Sequence, residues 1–97
     1  MTTFYRGPDV LITDQVFVVR RPQPIRFRIG LLRAAYIIFW EPSFWSRSAR
    51  GERELRAWYG SREISLFRSR DAIVFGQIQR GLLRALEYHE QRQEQAA

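Results

Sequence analysis

ELRAWYGSREISLFRSRDAIVFGQIQRGLLRALEYHE, residues 54–90, is the stretch of sequence that decides the fold. Its first half alternates apolar and polar side chains on both sides of Gly60-Ser61, which predicts two strands joined by a two-residue turn. A type II′ turn fits there, because glycine tolerates the positive φ of the first central position. From about Ala72 to Gln91 the apolar residues recur every three or four positions instead, which predicts one amphipathic helix.

The predicted helix has a single apolar stripe, formed by Phe75, Ile78, Leu82, Leu86 and His89. Ser69 or Asp71 is predicted to cap its N-terminus, because both side chains can accept hydrogen bonds from free backbone N–H groups. Gly76 and Gly81 each cost about 1 kcal/mol relative to alanine inside a helix. We therefore expect the helix to lie close against a sheet at these glycines. Residues 92–97 are polar and are predicted to fray.

Short strands are also predicted upstream of residue 54. Residues 10–13 and 16–19 are β-rich runs separated by Asp14-Gln15, which indicates a tight hairpin. Residues 31–35 could form one helical turn, and a strand is predicted from Ala35 to Trp40. Between the hairpin and residue 31, apolar residues 25, 27 and 29 alternate with two arginines, which places the two kinds of side chain on opposite faces of a strand. We expect seven apolar side chains to be mostly buried: Ile25, Phe27, Ile29, Phe75, Ile78, Leu82 and Leu86.

Composition limits the classes of function. The 97 residues are 45% hydrophobic, enough for a single domain, which we assign to residues 1–91. There is no cysteine and only one histidine, His89, which argues against disulfides, a structural zinc site and a cysteine nucleophile. We expect neither a metal nor another cofactor. No secretory signal is visible, and the most apolar stretch, residues 29–40, is much shorter than the ~20 residues of a membrane span. We expect a cytoplasmic protein without a transmembrane segment.

All 16 basic residues are arginines, and the formal net charge is +6. The densest basic cluster consists of Arg20, Arg21, Arg26 and Arg28. Guanidinium groups bind phosphates in bidentate fashion, so this cluster could contact lipid headgroups or nucleic acid. The alternative is a solvent-facing side of a strand on which the arginine stems merely cover apolar surface.

A second candidate lies in the long irregular segment from Glu41 to Glu52. Phe44, Trp45 and Arg47 could form an exposed aromatic–arginine contact of the kind that anchors interfaces. Alternatively, the two aromatic side chains fold back to close the open side of the sheet. In the following strand, Trp58 shares a face with Arg56, which favours a cation–π pair without any ligand.

No pattern of catalytic residues is visible. We place all 10 carboxylates in turns, at strand edges or on the polar side of the helix, where none would be desolvated. There is no Gly-x-Ser-x-Gly motif and no glycine-rich phosphate loop. His89 is explained by a favourable position in the last helical turn, since the helix dipole stabilises a positive charge there. We therefore expect that the protein is not an enzyme.

Both ends of the chain resemble a family of small, arginine-rich actinobacterial proteins, a domain of unknown function. The motifs are Phe4-Tyr5-Arg6-Gly7 and Val10-Leu11-Ile12-Thr13 at the start, then Leu66-Phe67-Arg68-Ser69-x-Asp71 and Phe75-Gly76-Gln77-x-x-Arg80-x-Leu82-x-Arg84-Ala85-Leu86-Glu87. Because the family has no assigned activity, the resemblance implies no catalytic residue. The order of elements is also similar to a bacterial pleckstrin-homology-like domain, in which a C-terminal helix plugs an open barrel.

These observations predict an α+β domain. Five to seven antiparallel strands form a curved sheet or open barrel, which one C-terminal helix caps in the pleckstrin-homology-like manner. The predicted function is a non-enzymatic interaction module that binds a protein partner or an anionic membrane surface, and the high aromatic content leaves a homo-oligomer open. The alternative is a nucleic-acid-binding protein that uses an arginine and aromatic surface, although the chain has no helix-turn-helix pattern.

Overall fold

The computed structural model describes residues 1–20, 24–40 and 51–96. Seven strands and one α-helix follow one another along the chain: β1 (Thr3–Arg6), β2 (Val10–Thr13), β3 (Val16–Val19), β4 (Ile25–Arg28), β5 (Leu32–Trp40), β6 (Glu52–Tyr59), β7 (Arg62–Ser69) and α1 (Ala72–Ala96). The strands form two antiparallel sheets in the orders β1-β2-β3-β4 and β5-β6-β7. The predicted α+β class, with a single C-terminal helix, is confirmed.

The strands lie in two sheets instead of the predicted single curved sheet or open barrel. A 3₁₀ turn, Ile29–Leu31, separates β4 from β5, and these two strands do not pair with each other. The sheets meet at this turn through a few contacts. The N–H of Gly60 donates to the carbonyl oxygen of Leu31 at 3.1 Å, and the N–H of Arg28 donates to the hydroxyl of Tyr59 at 3.1 Å. No closed barrel forms among the described residues.

Both predicted hairpins are confirmed. β2 pairs with β3 and β6 pairs with β7, the latter with Tyr59 opposite Arg62 across the turn at Gly60-Ser61. Gly60 has φ of 60°, as the first central position of a type II′ turn requires. β1, which pairs with β2 and precedes the turn at residues 7–9, was not predicted. β5 also starts earlier than predicted, at Leu32, and the helical turn precedes it.

The core lies between α1 and the facing sides of the two sheets. It contains Val10, Ile12, Phe17, Ile29, Leu32, Leu55, Ala57, Leu66, Phe75, Ile78, Leu82 and Ala85. Of the seven side chains expected to be buried, four are buried, and Phe27 and Leu86 are half-buried against the core. Ile25 contradicts the prediction: it is 50% exposed, because it lies at the end of the edge strand β4, away from the helix.

The helix begins as predicted and ends later. Oδ1 of Asp71 accepts hydrogen bonds from the N–H groups of Ile73 and Val74, so Asp71 is the N-cap. At Gly81 an added Cβ would lie 3.1 Å from Cβ of Tyr5, which confirms a close approach to the sheet. Gly76 makes no such approach, since only the Arg80 side chain lies near it. Helical conformation continues to Ala96, beyond the predicted end at Gln91.

Candidate binding face

One side of the four-stranded sheet faces away from the helix and carries arginines at both of its edges. The strand registers align Arg6, Leu11, Val18 and Arg26 in one row across β1, β2, β3 and β4. Neighbouring strands are about 4.8 Å apart, so the Cα atoms of Arg6 and Arg26, which are three strand spacings apart, are separated by roughly 14 Å. The adjacent row of alternating side chains, Tyr5, Ile12, Phe17 and Phe27, points the other way, towards α1.

Two further arginines belong to this side. Arg28 lies opposite Val16 and follows Arg26 by two positions, so both point to the same face. The N–H of Arg20 donates to the carbonyl oxygen of Asp9 at 2.8 Å, which continues the register of β2 with β3 by one position. Alternation then places Arg20 beside Val18 on the same face. We call this surface the arginine face: Arg6, Arg20, Arg26 and Arg28 around Leu11, Val16 and Val18.

The four arginine side chains of the arginine face are exposed and unpaired. Among the described residues, none of their guanidinium groups forms an ion pair, a side-chain hydrogen bond or a contact with an aromatic ring. Unpaired guanidinium groups keep all of their donors available for an external anion. Val18 is buried although it points away from the helix, which fits arginine stems that cover apolar surface. The arginine stems thus cover apolar surface, as the structural alternative predicts, while the guanidinium groups stay accessible to solvent.

The structure brings together three of the predicted site residues, Arg20, Arg26 and Arg28, and adds one. Arg6 was missed because β1 was not predicted: a register shift between Thr3 and Tyr5 breaks the alternation of this strand. The remaining candidates, Arg21 of the basic cluster and Phe44, Trp45 and Arg47 of the long segment, lie outside the described residues.

Four of the five arginines of the three-stranded sheet are engaged in internal contacts, and Arg62, beside the turn, has none among the described residues. Arg56 binds Oε2 of Glu54 at 3.2 Å and Oε1 of Glu63 at 3.1 Å. Arg68 pairs with Glu52 at 3.2 Å and lies 5.6 Å from the ring centroid of Trp40. Arg56 therefore binds carboxylates, and the expected pairing with Trp58 is not formed. These guanidinium groups hold the sheet together and are not free for a ligand.

Glu54 overturns the expectation that no carboxylate is desolvated. It is 3% exposed in the middle of β6, the central strand. Burial acts to raise its pKa, but hydrogen bonds from Ser65 and Trp40 and the charges of Arg56 and Arg68 outweigh burial and lower the pKa. Glu54 is thus a carboxylate held in its charged form by its neighbours. Its place beneath a network of fixed partners is that of a structural group.

His89 lies over the 3₁₀ turn and not in the last helical turn, since α1 continues to Ala96. An added Cβ at Gly30 would lie 3.0 Å from Cε1 and Nε2 of the imidazole. The groove beside it, which also holds Arg33, Glu90 and Glu94, is open to solvent. Within the described residues, no group of three or more histidine, aspartate or glutamate side chains is placed to hold a metal ion.

No helix in the described part of the chain is both long and apolar enough to cross a membrane.

Comparison with known proteins does not identify the arginine face. No protein-family model, no curated protein and no solved structure matches the chain. The resemblance of the chain ends to the actinobacterial family, and of the element order to pleckstrin-homology-like domains, stays a prediction. The function has to be argued from the arginine face itself.

Proposed function

We propose that the chain is a non-enzymatic interaction module that docks on an anionic membrane surface through its arginine face. The observation that carries this proposal is the contrast between the two sheets. Arg56 and Arg68 of the three-stranded sheet are bound by carboxylates, whereas Arg6, Arg26 and Arg28 of the other sheet are exposed without a described partner. A cytoplasmic location, where anionic lipid is exposed to the protein, is part of the same proposal.

The side chains between the arginines favour a lipid surface over nucleic acid. Leu11, Val16 and Val18 are aliphatic, and the sheet's aromatic residues Phe17 and Phe27 lie on the core side. Single-stranded nucleic acids are bound by stacking bases on exposed aromatic rings, which this face does not offer among its described residues. A rim of exposed arginines around the half-buried Leu11 and Val16 suits the headgroup layer of a bilayer, where guanidinium groups meet lipid phosphates.

The expected affinity is weak and depends on salt. Each arginine near an anionic bilayer contributes about 1 kcal/mol, so four arginines supply about 4 kcal/mol. That corresponds to a dissociation constant of about 1 mM for a single face. Such binding is reversible and is lost at high ionic strength, because screening shortens the range of the attraction.

Cosedimentation with vesicles tests the proposal. The chain should bind vesicles that contain phosphatidylserine and should not bind vesicles of phosphatidylcholine alone. Arg26→Glu with Arg28→Glu should abolish this binding. The matched control is Arg80→Glu with Arg84→Glu on the exposed side of α1, which lowers the formal net charge from +6 by the same four units.

Retained binding in the control and lost binding in the arginine-face variant would support the proposal. Equal losses in both variants would show that net charge alone drives adsorption, and the arginine face would have no special role. A duplex DNA oligonucleotide serves as the comparison ligand. Tighter, salt-sensitive binding to DNA than to phosphatidylserine vesicles would replace the proposal with the nucleic-acid alternative. Binding to neither would leave a protein partner as the remaining class.

A further inference from the structure

The outer edge of β5 is open for strand pairing. In the order β5-β6-β7, β5 pairs only with β6, so the backbone N–H and C=O groups on its other side have no strand partner among the described residues. The edge strand β4 carries Arg26 and Arg28 and follows Pro24, and charges and proline discourage edge pairing. Residues 36–40, Tyr-Ile-Ile-Phe-Trp, contain no charge and no proline.

The local geometry presents these five residues as one regular unit. A register shift between Arg33 and Tyr36, with Ala34 at a φ of 53°, interrupts β5 near its start. Beyond it, residues 36–40 pair regularly with residues 52–56 of β6. The side chains are open to solvent: Phe39 is 52% exposed and Trp40 is 47% exposed.

The polar atoms of this unit are already bound within the chain. The hydroxyl of Tyr36 donates to Oε1 of Glu63, and Nε1 of Trp40 donates to Oε1 of Glu54. The strand therefore presents apolar side chains and free backbone groups, with no side-chain donor that needs an external acceptor. A matching occupant is an extended strand with apolar side chains and no charge.

We infer that β5 pairs with β5 of a second copy of this chain, antiparallel about a two-fold axis at Ile38. In that register Tyr36 lies opposite Trp40 of the second copy, Ile37 lies opposite Phe39, and Ile38 lies opposite itself. Aromatic–aromatic and aromatic–β-branched pairs are the favourable cross-strand pairs, and each pair shares one face of the sheet. The segment therefore meets the self-complementarity that a two-fold interface requires. The result is a six-stranded sheet.

The charge distribution agrees with this partner. Two chains of net charge +6 repel each other, so a dimer interface needs to lie away from free positive charge. The arginine face lies on the other sheet, and Arg68 beside Trp40 is paired with Glu52. Arg53 lies over the ring of Phe39 and brings a positive charge close to the interface. Added salt screens the repulsion and should strengthen the dimer, whereas it weakens binding to anionic vesicles. The dimer and the proposed membrane docking can thus fail independently.

Sedimentation velocity over two orders of magnitude in protein concentration tests the inference. We expect a dimer whose dissociation constant falls with added salt. Ile37→Lys with Phe39→Lys should weaken it at least about tenfold. The control is Ile25→Lys with Leu83→Lys, which adds the same charge at exposed aliphatic side chains of β4 and α1 and should leave the dimer intact. A monomer at every concentration, or a dimer unaffected by the first variant, would overturn the inference.

A covalent test does not depend on how well the charged variant folds. The chain has no cysteine, so Ile38→Cys introduces a single thiol at the two-fold axis. Mild air oxidation should couple two chains of this variant much faster than two chains of the Ile25→Cys control, because only the axial pair of thiols lies within disulfide distance. Equal coupling rates for the two variants would contradict the proposed register.

Discussion

Nε1 of Trp40 donates a 3.1 Å hydrogen bond to Oε1 of Glu54, which ties an exposed residue at the end of the edge strand to a buried carboxylate on the central strand. Arg56 binds the other oxygen of the same carboxylate. The carboxylate of Glu54 thereby binds Trp40 of the neighbouring strand β5 and the guanidinium group of Arg56. Removing its charge should weaken the whole sheet. The carboxylate also links the stability of the sheet to pH.

Glu54→Gln should lower stability at neutral pH and change its dependence on acid. The pKa of Glu54 lies below its ordinary value of 4.5, so its charge stabilises the fold above that pH and the benefit is lost as pH falls further. We expect Glu54→Gln to lower the free energy of unfolding by about 1–3 kcal/mol at pH 7. The difference between the two proteins should shrink as the pH falls below about 4.5. Urea denaturation across pH measures both quantities. Glu94→Gln, an exposed control, should follow the parent at every pH, and a constant gap for Glu54→Gln would contradict the assignment.

The two helical glycines should respond in opposite ways to alanine. Gly76→Ala should raise stability by about 1 kcal/mol through helix propensity, since only the flexible end of Arg80 lies near the new methyl group. In Gly81→Ala the methyl group would lie 3.2 Å from the buried Ile12 and 3.3 Å from the carbonyl oxygen of Phe4, neither of which can move freely. Thermal melts should rank Gly76→Ala above the parent and Gly81→Ala below it. An equal gain in both would mean that the helix does not contact β1 at Gly81.

Charged substitutions at two neighbouring leucines of α1 should have very different effects on stability. Leu82 is 1% exposed in the core and Leu83 is 47% exposed. Leu82→Asp buries an unpaired carboxylate, whose desolvation exceeds the stability of a small domain, so the variant should be unfolded. Leu83→Asp should retain the circular dichroism spectrum and nearly the melting temperature of the parent. A folded Leu82→Asp protein would show that α1 does not cover the core.

The contact between Gly30 and His89 can be measured as a coupling. A methyl group at Gly30 would lie 3.0 Å from the imidazole, so Gly30→Ala should cost about 1 kcal/mol through overpacking. His89→Ala removes the obstacle, and the double variant should be no less stable than His89→Ala alone. A double-mutant cycle by chemical denaturation gives the coupling energy. Additive effects would show that the two residues do not touch.

Local patterns in the sequence predicted most of the elements. The alternation around Gly60-Ser61 and the helical period after Asp71 depend on nearest neighbours, so both were correct. β1 was missed because its side chains do not alternate: Phe4 and Tyr5 are both half-buried, and the register shifts between Thr3 and Tyr5. The division into two sheets could not be predicted, since it depends on the turn of the chain at Ile29–Leu31, where period-two alternation simply continues in the sequence.

The candidate site was only partly accessible from the sequence for a related reason. The shared face of Arg26 and Arg28 follows from their spacing, but Arg6 and Arg20 join them through the pairing registers between strands, which spacing within one strand does not give. The buried position of Glu54 is likewise a tertiary effect. Its neighbours in sequence are Arg53 and Leu55, whereas the residues from other strands that enclose it are Trp40, Ser65 and Arg68.

The position of α1 after every strand has a consequence for synthesis on the ribosome. The helix that packs on β1, β2, β6 and β7 is synthesised after all of these strands, so both sheets emerge from the ribosome with their apolar sides uncovered. During that interval nascent chains on one messenger are exposed to mutual association, the hazard that chaperones counter.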